Sequence, residues 1–204
     1  MSATARKRPA LYYIRHGETD WNVTGRLQGR NDVPLNERGR AQAAHCGVIL
    51  RSLFDRAGRG ANEFDFVCSP LGRARQTMEI ARCEVGLPAS GYKIEQRLVE
   101  IAFGAWEGFT ILQLHSRDPQ RIAARAQDKW HFVPPDGESY ESVSVRVSQW
   151  YEGLSRDTVA VAHGGTARGL IAHLGLEKPA AAPLIDIAQG VVYLFEDGRL
   201  SRYD

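Results

Sequence analysis

A chain of 204 residues with 43% hydrophobic residues is long enough to bury a substantial core, and its length is that of one domain. Charged residues make up 25% of it and the formal net charge is only +2, which argues against a broad cationic surface for a nucleic-acid backbone or an anionic membrane. Three cysteines, Cys46, Cys68 and Cys83, are odd in number and lack CxxC spacing, so neither a disulfide framework nor a cysteine zinc site is expected, and a reducing, cytoplasmic setting fits.

In chain order, residues 1–9 read as a basic, disordered tail. The apolar run from Ala10 to Ile14 is too short for a signal peptide or a membrane span. Runs rich in β-branched and aromatic residues then alternate with longer helical stretches. A strand from Ala10 to Arg15 precedes a helix from Asn36 to about Phe54, capped by Asn36, with Ala41, Ala44, Val48 and Leu53 near one face. After a connection at Gly58 to Asn62 come a strand from Phe64 to Ser69, a helix from Leu71 to Cys83, a connection at Gly86 to Gly91 and a strand from Tyr92 to Gln96. Residues 102–135 mix glycine, tryptophan, a basic stretch and a Pro-Pro terminus, and read as a helical excursion over the sheet edge that bears on substrate selectivity. A helix from Ser139 to Leu154, a strand from Thr158 to His163, a helix from Thr166 to Leu174 and a strand from Val191 to Glu196 complete the order. The runs LYYI, FDFVC and TVAVA are nearly continuous in apolar residues, as inner strands covered on both faces are. The expected fold is a three-layer α/β/α sandwich with a mainly parallel central sheet, one domain over residues 10–204, without internal repeats.

Three words sit at the carboxyl ends of predicted strands: Arg15-His16-Gly17, Ser69-Pro70-Leu71-Gly72-Arg73-Ala74 and His163-Gly164-Gly165. In an open α/β sheet that edge is where ligands bind. One strand-end histidine is ordinarily structural; three strands delivering His, Arg and His to one edge describe a site. A transferring phosphoryl group spreads negative charge over its oxygens and calls for fixed cations and backbone N–H donors. Arg15 and Arg73 supply the cations, and Gly164-Gly165 at a helix start supplies N–H groups.

The run LYYIRHGETDWNVTGRLQGRNDVPLNERGRAQA, followed by SPLGRARQT, LVEIAFGAWEG and AVAHGG in the same order and at similar spacings, resembles the histidine phosphatase superfamily, also called phosphoglycerate mutase-like. The resemblance spans Leu11 to about Glu196 and implies that fold. It further implies that His16 is a nucleophile that becomes phosphorylated. Arg15, Arg73 and His163 would bind phosphoryl oxygens, and Asn22, Gln28 and Gly29 would reach the substrate or phosphate. Glu100, ahead of FGAWEG, matches the proton donor. Phosphate charge nearby favours a protonated carboxyl, and an alkoxide leaving group needs its proton. Glu107, Asp136 and Glu138 are competing acids, and Asn22 is equally suited to capping a turn.

Around this core, Trp106, Trp130, His131 and Tyr140 either wall a pocket or belong to the core, and Arg75 falls on the outer face of its helix. Arg117, Arg121, Arg125 and Lys129 form a solvated helix face or reach a second acidic group. His45, His115, His131 and His173 show no metal-ligand spacing, so neither metal nor cofactor is expected. Cys68 and Arg73 have four intervening residues, one too few for the loop of a cysteine phosphatase. The expected activity is phosphomonoester hydrolysis of a small phosphorylated metabolite through phosphohistidine. The alternative is a cofactor-dependent phosphoglycerate mutase, disfavoured because no long insertion with paired arginines follows FGAWEG. A non-catalytic phospholigand-binding module ranks last. No nucleic-acid or membrane partner is expected, and oligomeric state is left open.

Overall fold

A computed structural model describes residues 8–204 of the chain. Of the tail expected at residues 1–9, residues 1–7 lie outside the described residues, while Arg8 pairs with Glu152 at 2.8 Å. The elements run β1 (Leu11–Arg15), α1 (Asp20–Val23), α2 (Glu37–Arg56), β2 (Asp65–Cys68), α3 (Gly72–Glu84), β3 (Lys93–Ile94), α4 (Ile111–Arg117), α5 (Pro119–Gln127), α6 (Tyr140–Glu152), β4 (Thr158–Ala162), α7 (Gly164–His173), β5 (Val192–Glu196) and β6 (Arg199–Tyr203).

The six strands form one sheet in the order β3-β2-β4-β1-β5-β6. The pairings of β3 with β2, β2 with β4 and β4 with β1 are parallel, and β5 and β6 add to the far edge antiparallel. The apolar runs explain why β4 and β1 are central. Successive side chains of a strand point to opposite faces, so Leu11 and Tyr13 enter one core with Val143, Val147, Leu170 and Ile171 of α6 and α7. Tyr12 and Ile14 enter the other, with Leu50, Phe54 and Met78 of α2 and α3. Both sides of the sheet are thus covered, which gives three layers.

Helix starts follow the capping residues. Asn36 accepts the Gly39 N–H at 2.9 Å to open α2, and Ser139 accepts the Ser142 N–H at 3.1 Å to open α6. The buried stripe of α2 is not the expected one: Ala41 and Val48 face solvent and Ala44 is half-buried, while Ala43, Cys46, Ile49, Leu50, Leu53 and Phe54 face the sheet. Two alanines and a valine form a weaker apolar stripe than Ile49, Leu50 and Phe54, and the sheet takes the face that removes more apolar surface from water. Strand β6 went unread because RLSRY has no apolar run. Its signal is the Asp197-Gly198 pair, both at positive φ, which turns the chain back from β5.

The excursion at 102–135 holds α4 and α5 and carries a small core of its own, Trp106, Leu114 and Ile122 packed with Phe103, Phe109 and Phe132. Trp106 also donates its indole N–H to Asp118 at 3.1 Å. The segment is therefore built to keep its shape.

Candidate active site

The parallel strands β1, β2 and β4 end at the same edge, and the chain just beyond each delivers one of the three motifs. His16 follows β1 and donates its backbone N–H to Ala162 of β4 at 2.9 Å, which ties the two strand ends together. Its ring is 3% exposed. Nδ1 lies 2.8 Å from the Gly17 carbonyl, an acceptor only, so the ring proton is on Nδ1 and the lone pair is on Nε2. Burial, then the charges of Arg73 and Arg15, push the pKa of this imidazole well below the usual histidine range and keep it neutral.

Arg73, in the first turn of α3, is wholly buried. Its Nη1 and Nη2 donate to the carbonyls of Asn31 and Gly29 at 2.6 and 2.7 Å, and its Nε points at His16 Nε2 at 3.3 Å. Gly29 offers that carbonyl from φ +51°, and a Cβ there would run into the Glu107 carboxylate, so the turn requires glycine. Arg15 fixes one arm on the Ile187 carbonyl at 2.6 Å, while its Nε is buried with no hydrogen-bond partner. The second histidine, His163, caps α7, and its ring centroid is 5.1 Å from that of His16. Its Nε2 lies 2.7 Å from Ser69 Oγ, and its Nδ1 is buried without a partner. Burial and the neighbouring cations hold this ring neutral as well.

Arg15, His16 and Arg73 border a cavity of about 160 Å³, also lined by Asn22, Gln28, Gly29, Glu100, Tyr140 and Gly164. Its walls carry four arginines, Arg15, Arg26, Arg73 and Arg168, against the single carboxylate of Glu100. Glu100 accepts the Ile101 N–H at 2.8 Å and the Gly165 N–H at 3.2 Å, which aims it at the start of α7. Glu107 instead accepts from Arg30 N, Phe103 N and the Asn31 amide at 3.0–3.1 Å and braces the Gln28-Gly29 turn. Glu138 is engaged by Arg146 at 2.8 Å, and Asp136 occupies a positive-φ turn.

Asn22 caps the turn at the start of α1 and borders the cavity. Its Oδ1 accepts from the Thr19 backbone N–H at 3.1 Å and from Gln189 at 3.0 Å, while the residue lines the cavity. Gln28 is buried with its Oε1 unpartnered. Among the aromatic candidates only Tyr140 reaches the cavity: Trp106 and Trp130 are core and His131 is exposed on Asp128. Arg75 lies on the outer face, beside Tyr92. The sequence reading missed Arg26, Arg168 and Gln189, which bonds both the His16 carbonyl and Asn22. Arg168 is four residues after Gly164 on α7, a spacing that places it over the same face and could have signalled it.

A neutral imidazole whose Nε2 lone pair meets only the Arg73 Nε–H, set among guanidiniums and one carboxyl, is equipped to take and release a phosphoryl group. Fold and site together define a phosphoryl-transfer scaffold of the α/β class. The chain belongs to the histidine phosphatase superfamily (branch 1), whose family model matches residues 11–199. It is 33% identical over 178 residues to the adenosylcobalamin/alpha-ribazole phosphatase of Escherichia coli K12, covering 84% of this chain and 81% of that protein. It is also 28% identical over 196 residues to a 2,3-bisphosphoglycerate-dependent phosphoglycerate mutase of Cytophaga hutchinsonii, covering 92% and 87% of the two chains. The crystal structure of the alpha-ribazole phosphatase from Shigella flexneri superposes with a TM-score of 0.76 at 29% identity, over 94% of this chain and 93% of that one. Among the described residues no helix is long and apolar enough to cross a membrane, and no three His, Cys, Asp or Glu side chains group as metal ligands.

Proposed function

We propose that the chain is a phosphomonoester hydrolase that acts on a small phosphorylated metabolite through a phosphohistidine at His16. The observation that carries this reading is the His16 ring: Nδ1–H is spent on Gly17, and the Nε2 lone pair, met by the Arg73 Nε–H at 3.3 Å, belongs to a residue that lines an arginine-walled cavity. In the first step Nε2 attacks phosphorus and the bond from phosphorus to the leaving oxygen breaks. Arg15, Arg73 and the Nδ1–H of His163 hold the phosphoryl oxygens, and the Glu100 carboxyl gives its proton to the departing oxygen. In the second step Glu100, now a carboxylate, takes a proton from water. The water oxygen forms the new bond to phosphorus, the P–N bond breaks and its electron pair returns to His16. Asn22, Gln28 and Gly164 contact the bound phosphate or substrate from the cavity wall.

The cation set is organic, and we assign the reaction no metal or cofactor, so a chelator leaves the rate unchanged. The free thiols of Cys46, Cys68 and Cys83 fit a cytoplasmic setting. Brief incubation with a radiolabelled phosphomonoester yields an acid-labile, base-stable phosphoenzyme, and His16→Ala yields none; label retained in that variant overturns the reading. The similarity to a phosphoglycerate mutase favours one second reading, discharge of the phosphohistidine to a substrate hydroxyl. Phosphate release slower than 2-/3-phosphoglycerate interconversion would establish it.

A further inference from the structure

Gln189, in the loop between α7 and β5, reaches back to the end of β1. The backbone just before it is pinned: the Ile187 carbonyl accepts from Arg15 Nη1 at 2.6 Å, and the Ala188 N–H donates to the Tyr193 hydroxyl at 2.8 Å. From there the side chain places Nε2 3.1 Å from the His16 carbonyl oxygen and 3.0 Å from Asn22 Oδ1. A backbone carbonyl only accepts, so the end of the Gln189 amide that faces His16 is the donor end. That end carries two N–H groups, and the second goes to Asn22.

The Asn22 amide is fixed by the same logic. Its Oδ1 faces the Thr19 backbone N–H at 3.1 Å, a group that only donates, and also takes the Thr19 hydroxyl at 3.2 Å. Thr19 thus decides which end of the amide is oxygen. Gln189, 167 residues away in the chain, supplies a second point of attachment that fixes the amide plane. Three donors occupy Oδ1, and among the described residues nothing accepts from Nδ2. Asn22 lines the arginine-walled cavity, and Gln189 stands behind it, outside the lining. A phosphoryl oxygen accepts and does not donate, so this amide attracts the anion with Nδ2 toward the cavity and would repel it with Oδ1 there.

We propose that Gln189 is a positioning residue for the phosphate site: anchored on the His16 carbonyl, it holds the Asn22 amide with Nδ2 turned to the phosphoryl oxygens. One side chain thereby ties the backbone of His16 to a donor for the group that His16 accepts. This deepens the phosphatase reading and rests on it for the identity of the anion.

Orthovanadate, which takes the place of a phosphoryl group, is the probe, and calorimetry reads its binding without turnover. Gln189→Met, of similar length and without a donor, and Gln189→Asn, whose donor is one methylene short, each weaken orthovanadate binding about fivefold, as loss of one net hydrogen bond predicts. Asn22→Ala weakens it about tenfold or more. In the Asn22→Ala background the Gln189 substitutions cost less than about twofold, because the group they position is gone. A merely structural Gln189 would lower the thermal unfolding midpoint without touching affinity, or would weaken binding equally with and without Asn22. Thermal unfolding of each variant confirms that it folds. Unchanged affinity in both Gln189 variants, an equal loss in the two backgrounds, or no orthovanadate binding by the unaltered protein overturns the proposal. Phosphate release from p-nitrophenyl phosphate by the unaltered protein is read in parallel. Its absence alongside intact orthovanadate binding refutes the phosphatase reading and leaves the positioning result to stand or fall by itself.

Discussion

Ser69 orients His163: its Oγ accepts from the Leu71 N–H at 3.4 Å and lies 2.7 Å from His163 Nε2, which leaves Nδ1 as the ring atom buried without a protein partner. At the same scale, Glu100 is set apart from its rivals by what already occupies them: Glu107 has three donors and Glu138 an arginine, whereas Glu100 alone of the acids lines the cavity. Glu100→Gln is therefore expected to cut kcat by roughly 100-fold on alkyl phosphates and much less on aryl phosphates, whose leaving groups need little protonation. Steady-state rates on a series of leaving groups check this, and equal losses across the series would mean that another acid serves. His16, Arg15, Arg73 and His163 were legible because their motifs sit at strand ends. Gln189 was not, because its role depends on where the 183–189 loop returns, which no local pattern encodes.

At the level of elements, the site depends on how closely β1 and α2 approach. A Cβ on Gly17 would sit 2.2 Å from the Gly39 carbonyl oxygen, and one on Gly39 would sit 2.1 Å from the Glu18 carbonyl oxygen. Both obstacles are backbone, so neither can rotate away. Gly39→Ala is expected to destabilise the protein by about 1–3 kcal/mol through overpacking, despite the better helix propensity of alanine. Urea unfolding measures this, and an unchanged midpoint would show that α2 slides at no cost. Caps made the starts of α2 and α6 readable, since Asn36 and Ser139 announce them chemically. Helix α7 runs from Gly164, at the glycine pair, and Thr166 Oγ1 accepts the His163 N–H at its start at 3.1 Å. The contested basic residues separate for a similar reason. Arg117 stacks on Phe109 and Arg121 pairs with Asp118, whereas Arg125 is half-buried and Lys129 donates to the Pro183 carbonyl at 2.8 Å.

For the whole molecule, burying two neutral imidazoles links stability to pH. Both rings have folded pKa values well below the ordinary one. Below about pH 6.5 the unfolded chain takes up protons that the folded chain refuses, so stability falls as pH falls, by up to about 1.4 kcal/mol per pH unit for each ring. Urea midpoints between pH 7.5 and 5 are expected to decline, with a shallower slope in His163→Asn; an equal slope in that variant would place the linkage elsewhere. By itself the sequence determined the layered α/β architecture, the inner strands and the three strand-end motifs. Apolar periodicity, capping residues and turn chemistry act over a few residues and are written locally. Tertiary structure alone decided which face of α2 is buried, which acid faces the cavity, and that Lys129, Arg168 and Arg15 stand on alternate carbonyls of one loop. Those outcomes depend on distances between segments far apart in the chain, and such distances are set only when the whole core packs.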